Sequence, residues 1–369
     1  MKNKIYDLSI KSLRGIKNLE LKQLGDVNVI LGDNNSGKTT ILEAVELFRK
    51  KGIYNVISVL NNRSVNRTTN IDDFLYIFNV DDKLVDVSMN SSSGKSNVTM
   101  DYSLNKINFS SGIFLSDKND DKLKKVYSFI IEQQKLEGKE LGQIKGKYQY
   151  NEYIENYSFI PLDFSYNMVT DKDDAESNRI IYESPFEHFN LNASMISNIK
   201  KNEAYYRIFI QVLRIFDSSI NKVDILTTNN YFNGSQEPVI YIQCDNKDPM
   251  PIATYGDGIK KVICIASMIT YSIGGVLLID EIETSLHHNY YSDVLYFLIK
   301  VAKKFDIQLF ITTHSKEIVE VFSKYNIENK LESNIKFYTL KKKQNKTNSR
   351  MLNDSEVVQY NNLGVEVRD

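Results

Sequence analysis

Apolar and polar residues alternate with a period of two at several places in the first third of the chain. Tyr6, Leu8 and Ile10 alternate with Asp7, Ser9 and Lys11, the spacing of a strand with one buried face. A second short strand falls around residues 19–21, and Val27, Val29, Ile30 and Leu31 form a third, more continuous run. Val85, Val87 and Met89, then Val98, Met100, Tyr102 and Leu104 beyond a Ser/Gly-rich loop at 91–97, predict an antiparallel hairpin over 83–105. Between these strands the period lengthens. Ile41, Leu42, Val45 and Phe48 recur at helical spacing, and Lys50-Lys51-Gly52 suits a helix C-terminus.

From about 116 to 225 the text becomes rich in Lys and Glu, as at 117–147, and 203–217 carries Ile208, Val212 and Ile215 on one face. These features predict a largely helical insertion. Heptads are not sustained, so no long coiled coil is expected. Beyond it come a strand at 238–243, a helix opening at Ile259 and the run Val276-Leu277-Leu278-Ile279, continuous as in a central parallel strand. An amphipathic helix with Val294, Leu298, Val301 and Phe305, a strand at 307–311 and a Lys-rich stretch at 341–350 that begins the tail complete the pattern. Strand and helix in this alternation predict an α/β fold around a parallel sheet. The expected organisation is a β-rich N-terminal lobe (1–115), the insertion (116–225), a C-terminal lobe (226–345) and a tail (346–369). The longest apolar stretch, 262–279, divides into a helix and a strand around Ser272, Gly274 and Gly275, so no membrane crossing is expected.

Candidate chemistry changes the picture most at residues 32–40, Gly32-Asp33-Asn34-Asn35-Ser36-Gly37-Lys38-Thr39-Thr40. A strand, GxxxxGKT and a helix in that order form a loop whose backbone N–H groups line the phosphates of a nucleoside triphosphate, with the helix dipole aimed at the same charge. Lys38 reaches the β/γ-phosphates and the Thr39 hydroxyl sits on Mg²⁺. A second piece lies at Asp280-Glu281, directly after the apolar run at 276–279. Asp280 can hold Mg²⁺ through water opposite Thr39, and Glu281 can polarise the attacking water. A third, His314, closes the next strand, where it can hydrogen-bond the γ-phosphate. ATP and Mg²⁺ are thus the expected ligands.

Composition narrows the rest. The 369 residues include 46 basic and 47 acidic side chains, so the footprint of a dedicated nucleic-acid binder is absent. Cys244 and Cys264 lack metal-ligand spacing, which suits a reducing compartment, and the N-terminus lacks the apolar run of a signal peptide. A cytoplasmic protein is expected.

Leu13-Arg14-Gly15-Ile16-Lys17-Asn18-Leu19, the phosphate loop, the stretch from Leu278 to His287 and Thr312-Thr313-His314-Ser315 together resemble an ATP-binding-cassette (ABC) ATPase of the group that includes RecF, SMC proteins and the ATPase domains of OLD-family nucleases. The resemblance covers the N-terminal 60 residues and roughly 250–320, with an unaligned middle. It implies a signature segment, met by Gly256, Asp257 and Gly258, that docks on the γ-phosphate of ATP held by a partner subunit. The usual Ser of that segment is replaced by Gly256, with Lys260 or Lys261 as candidate substitutes. No glutamine-loop residue is assigned, with Gln143 and Gln149 in the right half of the chain. Glu283 and His287 share i, i+4 spacing but lack a third metal ligand.

The resemblance implies ATP hydrolysis and a dimer or higher homo-oligomer. It implies a nucleotide-driven switch acting as the ATPase sensor of an anti-phage defence system, with a separate TOPRIM-type nuclease as partner. The alternative is a RecF-like repair ATPase that binds DNA through local contacts from Lys-rich 135–147 and 341–346. A nuclease within the chain is not expected, because too little sequence follows Lys316, and Asp171, Asp173, Asp174 and Glu176 read as a solvated loop.

Overall fold

The computed structural model describes residues 4–62, 75–79, 81–106, 142–159, 178–185, 191, 193–229, 236–245, 247–284, 286, 288–329, 334–343, 346–353 and 356–357. The N-terminal part runs β1 (Ile5–Leu13), β2 (Ile16–Leu21), β3 (Val27–Gly32), α1 (Lys38–Glu46), α2 (Ile53–Asn61), β4 (Leu84–Ser91), β5 (Gly94–Lys106), β6 (Gly142–Tyr150) and β7 (Tyr153–Phe159). The middle holds β8 (Ile180–Glu183), α3 (Ala193–Lys200), α4 (Glu203–Phe216), β9 (Ile220–Asn229), β10 (Gln236–Cys244) and β11 (Met250–Pro251). The last third runs α5 (Asp257–Tyr271), β12 (Val276–Ile279), α6 (Tyr291–Lys304), β13 (Gln308–Thr313), α7 (Lys316–Glu328), β14 (Ile335–Lys343) and β15 (Lys346–Leu352).

Three sheets result. An antiparallel sheet has the order β2-β1-β4-β5-β6-β7, a small one β11-β10-β9, and the central one β15-β14-β3-β13-β12-β8. In the central sheet every pairing is parallel except β14 with β15. Its continuous apolar strands reflect burial on both faces. Val27, Val29, Leu31, Leu277, Ile279, Leu309 and Ile311 belong to one core with residues of α3 to α7. Ile30, Val276, Leu278 and Phe310 face the other, with α1, α2 and the antiparallel sheet. The parallel sheet is thus a wall between two cores, and the carboxyl ends of its strands meet at one edge.

The hairpin at 83–105 is present as β4 and β5, and the stretch 262–279 divides into α5 and β12 as expected. No helix among the described residues is long and apolar enough to cross a membrane.

Two expectations are corrected. The segment expected to be a largely helical insertion contains α3 and α4, but residues 142–159 form β6 and β7. In β6, Tyr148 and Tyr150 alternate with Lys147 and Gln149, a composition that gives the strand the look of a polar segment. Tyr148 and Tyr150 are the buried residues that seat β6 on the N-terminal core. β8 joins the central sheet beside β12. The Lys-rich stretch read as the start of a tail is instead the β14–β15 hairpin. β14 pairs in register with β3 and buries Phe337, Tyr338 and Leu340 between its lysines. Residues 117–141 and the acidic cluster at 171–176 lie outside the described residues.

Candidate nucleotide site at the carboxyl edge of the central sheet

β3 ends at Gly32 and the chain wraps through 33–37 before α1 begins at Lys38. The turn requires left-handed backbone at Asn35 (φ 62°) and Gly37 (φ 100°). A Cβ at Gly37 would also stand 3.0 Å from Ile16 Cδ1, a tight approach, but it is the positive φ that calls for glycine. Gly37 is the N-cap of α1 and supplies no side-chain cap, so the cap residue itself does not compete for the N–H groups of the first turn. Lys38 is buried, and its Nζ donates to Gly32 O at 2.6 Å and Asp33 O at 2.9 Å. Burial holds its ammonium below the ordinary lysine value, against the raising influence of Asp280, Glu281, Glu283 and Asp33.

Asp280 follows β12 and is buried. Its Oδ2 accepts from Thr39 Oγ1 at 2.8 Å and from Tyr182 OH at 3.0 Å, and its Oδ1 accepts from Thr312 Oγ1 at 2.5 Å. Three strands therefore converge on one carboxylate, since Tyr182 stands on β8 and Thr312 on β13. Burial, reinforced by the nearby Asp280, pushes the Tyr182 phenol well above its ordinary value, so it remains a proton donor at neutral pH. Glu281 has φ 46°, a strained conformation for a residue with a Cβ. Its backbone N–H donates to Thr312 Oγ1 at 2.8 Å, so Thr312 fixes both members of the Asp-Glu pair.

His314 follows β13 and is exposed, while Glu283 beneath it is nearly buried. Glu283 Oε1 lies 2.9 Å from His314 Nδ1 and accepts the His314 backbone N–H at the same distance. The α5 N-terminus carries Gly256 as N-cap, again without a side-chain cap. Nothing lies within 4 Å of a Cβ built at Gly256, so Ser would fit there and its absence is not forced by space. Lys260 pairs with Asp257 in its own first turn. Lys261 instead points inward and pairs with Glu183 at 2.7 Å, both side chains having no solvent exposure. Of the two lysines considered as substitutes for the missing Ser, Lys261 is thereby committed to the interior.

The family described as "AAA domain, putative AbiEii toxin, Type IV TA system" matches residues 27–320. The chain belongs to this family. It is similar to a protein named ATP/GTP phosphatase from Helicobacter pylori, 24% identical over 361 residues, covering 91% of this chain and 92% of that protein. Over 44 residues it is 48% identical to the DNA replication and repair protein RecF of Rickettsia massiliae, 12% of each chain. Among solved structures, the SMC head bound to the C-winged helix domain of ScpA matches with a TM-score of 0.51 at 13% identity, covering 96% of this chain and 99% of that one. That likeness concerns the fold. Together these findings make the chain an AAA-domain ATPase with the fold of an SMC head, and nucleotide binding follows from the family membership.

Within this AAA-domain protein, the fold brings together the loop at 32–40, Asp280 and Glu281: Thr39 and Thr312 donate to Asp280, and Thr312 accepts the Glu281 backbone N–H. The hydrogen bonds given for that cluster come through Thr39, Tyr182 and Thr312, and none of them involves Gly256, Asp257 or Gly258. His287 lies outside the described residues, Glu283 faces His314 instead, and no group of three metal-ligating side chains occurs among the described residues. Gln149 donates to Asn151 O on the exposed β6–β7 turn, away from Asp280. Sequence reasoning missed Tyr182, because β8 is only four residues long and lies in the segment read as helical. Thr312 stands in the strand-end segment with His314, but its sequence position alone assigns it no role. A hydroxyl two residues before the strand-end His was the available signal.

Proposed function

We propose that this ATPase hydrolyses ATP at a site shared between two copies of the chain and uses the resulting closure as a switch. Residues Gly32, Asp33, Asn34, Asn35, Ser36, Gly37, Lys38, Thr39 and Thr40 cradle the triphosphate. Lys38 leaves the Gly32 and Asp33 carbonyls for the β/γ-phosphates. The Thr39 hydroxyl and the Asp280 carboxylate, already 2.8 Å apart, are hard oxygen donors that suit Mg²⁺. When bound there, Mg²⁺ supplies charge neutralisation for the β/γ-phosphates. Glu281 accepts a proton from the attacking water, and His314 contacts the γ-phosphate. Gly256, Asp257 and Gly258 of the second copy close the site with an uncapped helix N-terminus.

The observation that carries this reading is the convergence of Thr39, Tyr182 and Thr312 on Asp280, with Thr312 also holding the strained Glu281. The phosphatase name of the Helicobacter relative supports triphosphate hydrolysis. The family's description as a putative toxin of a type IV toxin–antitoxin system supports a place in defence, and the proposed effector is a separate nuclease. The local RecF match favours a second reading, DNA repair, with Lys341, Lys342 and Lys346 at the β14–β15 hairpin as the contacts. Retention on a short duplex with ATP, lost at moderate salt, would favour that reading.

Glu281→Gln tests the site. Steady-state hydrolysis is expected to fall at least ~100-fold, with ATP affinity within about threefold of the parent chain. Equal turnover in the two proteins would remove Glu281 from its role.

A further inference from the structure

We infer that Glu283 is a positioning residue for His314, setting which ring nitrogen faces the nucleotide. The inference rests on the proposed role of His314. Glu283 stands two residues beyond Glu281, and the turn that follows β12 carries it under the end of β13, where Leu286 N–H closes on Glu283 O at 3.1 Å. One oxygen, Oε1, receives two donors from the same residue: the His314 backbone N–H and the ring at Nδ1, each at 2.9 Å. Backbone and ring are thus anchored at one point. An acceptor at Nδ1 keeps the ring proton on that nitrogen and turns Nε2 to the opposite side of the ring.

The burial pattern is that of a support for an exposed working group. The Glu283 side chain is 9% exposed and the His314 side chain 54%. Without Glu283 the half-exposed imidazole would rotate about two side-chain bonds and lose the preorganisation that contact with a γ-phosphate requires. Among the described residues, the second oxygen, Oε2, is buried and has no hydrogen-bond partner.

The test is a double-mutant cycle on ATP hydrolysis with Glu283→Ala, His314→Ala and the combined variant, each checked for folding by thermal denaturation. The expected result is a kcat loss of roughly tenfold in Glu283→Ala with KM within about threefold. His314→Ala should lose at least as much, and the combined variant should be no slower than His314→Ala. Glu283→Gln, which keeps an oxygen at the Oε1 position, should recover most of the loss. If alanine prevents folding, Glu283→Asp, which withdraws the carboxylate by one methylene, replaces it and the same outcomes decide. Losses that multiply in the combined variant, or wild-type kcat in Glu283→Ala, overturn the inference and leave the proposed site standing. Wild-type kcat in His314→Ala removes His314 from the site and the inference with it.

Discussion

Asp280, Glu281 and Lys38 each pay locally for their placement, one buried, one strained, one stripped of water. Such costs concentrate where pre-organised chemistry is needed. Glu46, on the same helix as Lys38, is a buried carboxyl whose burial has a consequence for stability. It is fully buried, its carboxyl pushed up to about 7 by burial against the lowering pull of Arg49 and Asn62. The folded chain therefore keeps a proton that the unfolded chain releases near the ordinary value of 4.5. Between those two values the unfolded state binds fewer protons, so stability falls as pH rises, by at most about 3 kcal/mol once pH exceeds the folded value. Glu46→Gln is expected to flatten that dependence, with its melting temperature gaining on the parent chain between pH 5 and pH 8. A constant difference across that range would mean Glu46 ionises at its ordinary value in the folded chain. The phosphate loop, Asp280 and Glu281 were legible in the sequence because each sits in a contiguous motif with a fixed order of strand, turn and helix. Tyr182 and Thr312 were not, because their contacts with Asp280 depend on the pairing of β8, β12 and β13.

At the scale of elements, the Lys261–Glu183 pair ties α5 to β8 inside the protein. Glu183 O accepts the Asp280 backbone N–H at 3.0 Å, so the helix that opens at Gly256 and the carboxylate at Asp280 share an anchor. Removing one charge of such a pair leaves the other buried and uncompensated, at a cost of about 3–5 kcal/mol. Lys261→Met is expected to lose stability of that order in urea denaturation, and Lys261→Met combined with Glu183→Gln to recover most of it. If the double variant loses as much as the single, the cost comes from packing around Lys261 and not from the stranded charge. The helices and parallel strands of the last third were readable from period alone. β6, β7 and β15 were not, since Lys, Gln and Asn on an exposed face give a strand the composition of a helix or loop. Their strand character comes from neighbours: β6 lies against β5, and β15 against β14.

At the scale of the molecule, a parallel sheet between two cores delivers the phosphate loop, Asp280, Glu281 and His314 to one edge. The α5 helix begins at Gly256, and its N-terminus has neither a side-chain cap from that residue nor a neighbour within 4 Å of a Cβ built there. A second copy supplying that helix to the triphosphate would complete the site and couple hydrolysis to association. Only the γ-phosphate would then bridge the two copies, so ATP and ADP must differ in their effect on assembly. Sedimentation of Glu281→Gln with Mg²⁺ and either ATP or ADP measures this directly. ATP should yield a species of twice the mass seen with ADP, whereas a single mass under both nucleotides, with hydrolysis by the parent chain at a rate per chain independent of protein concentration, would show that one copy suffices.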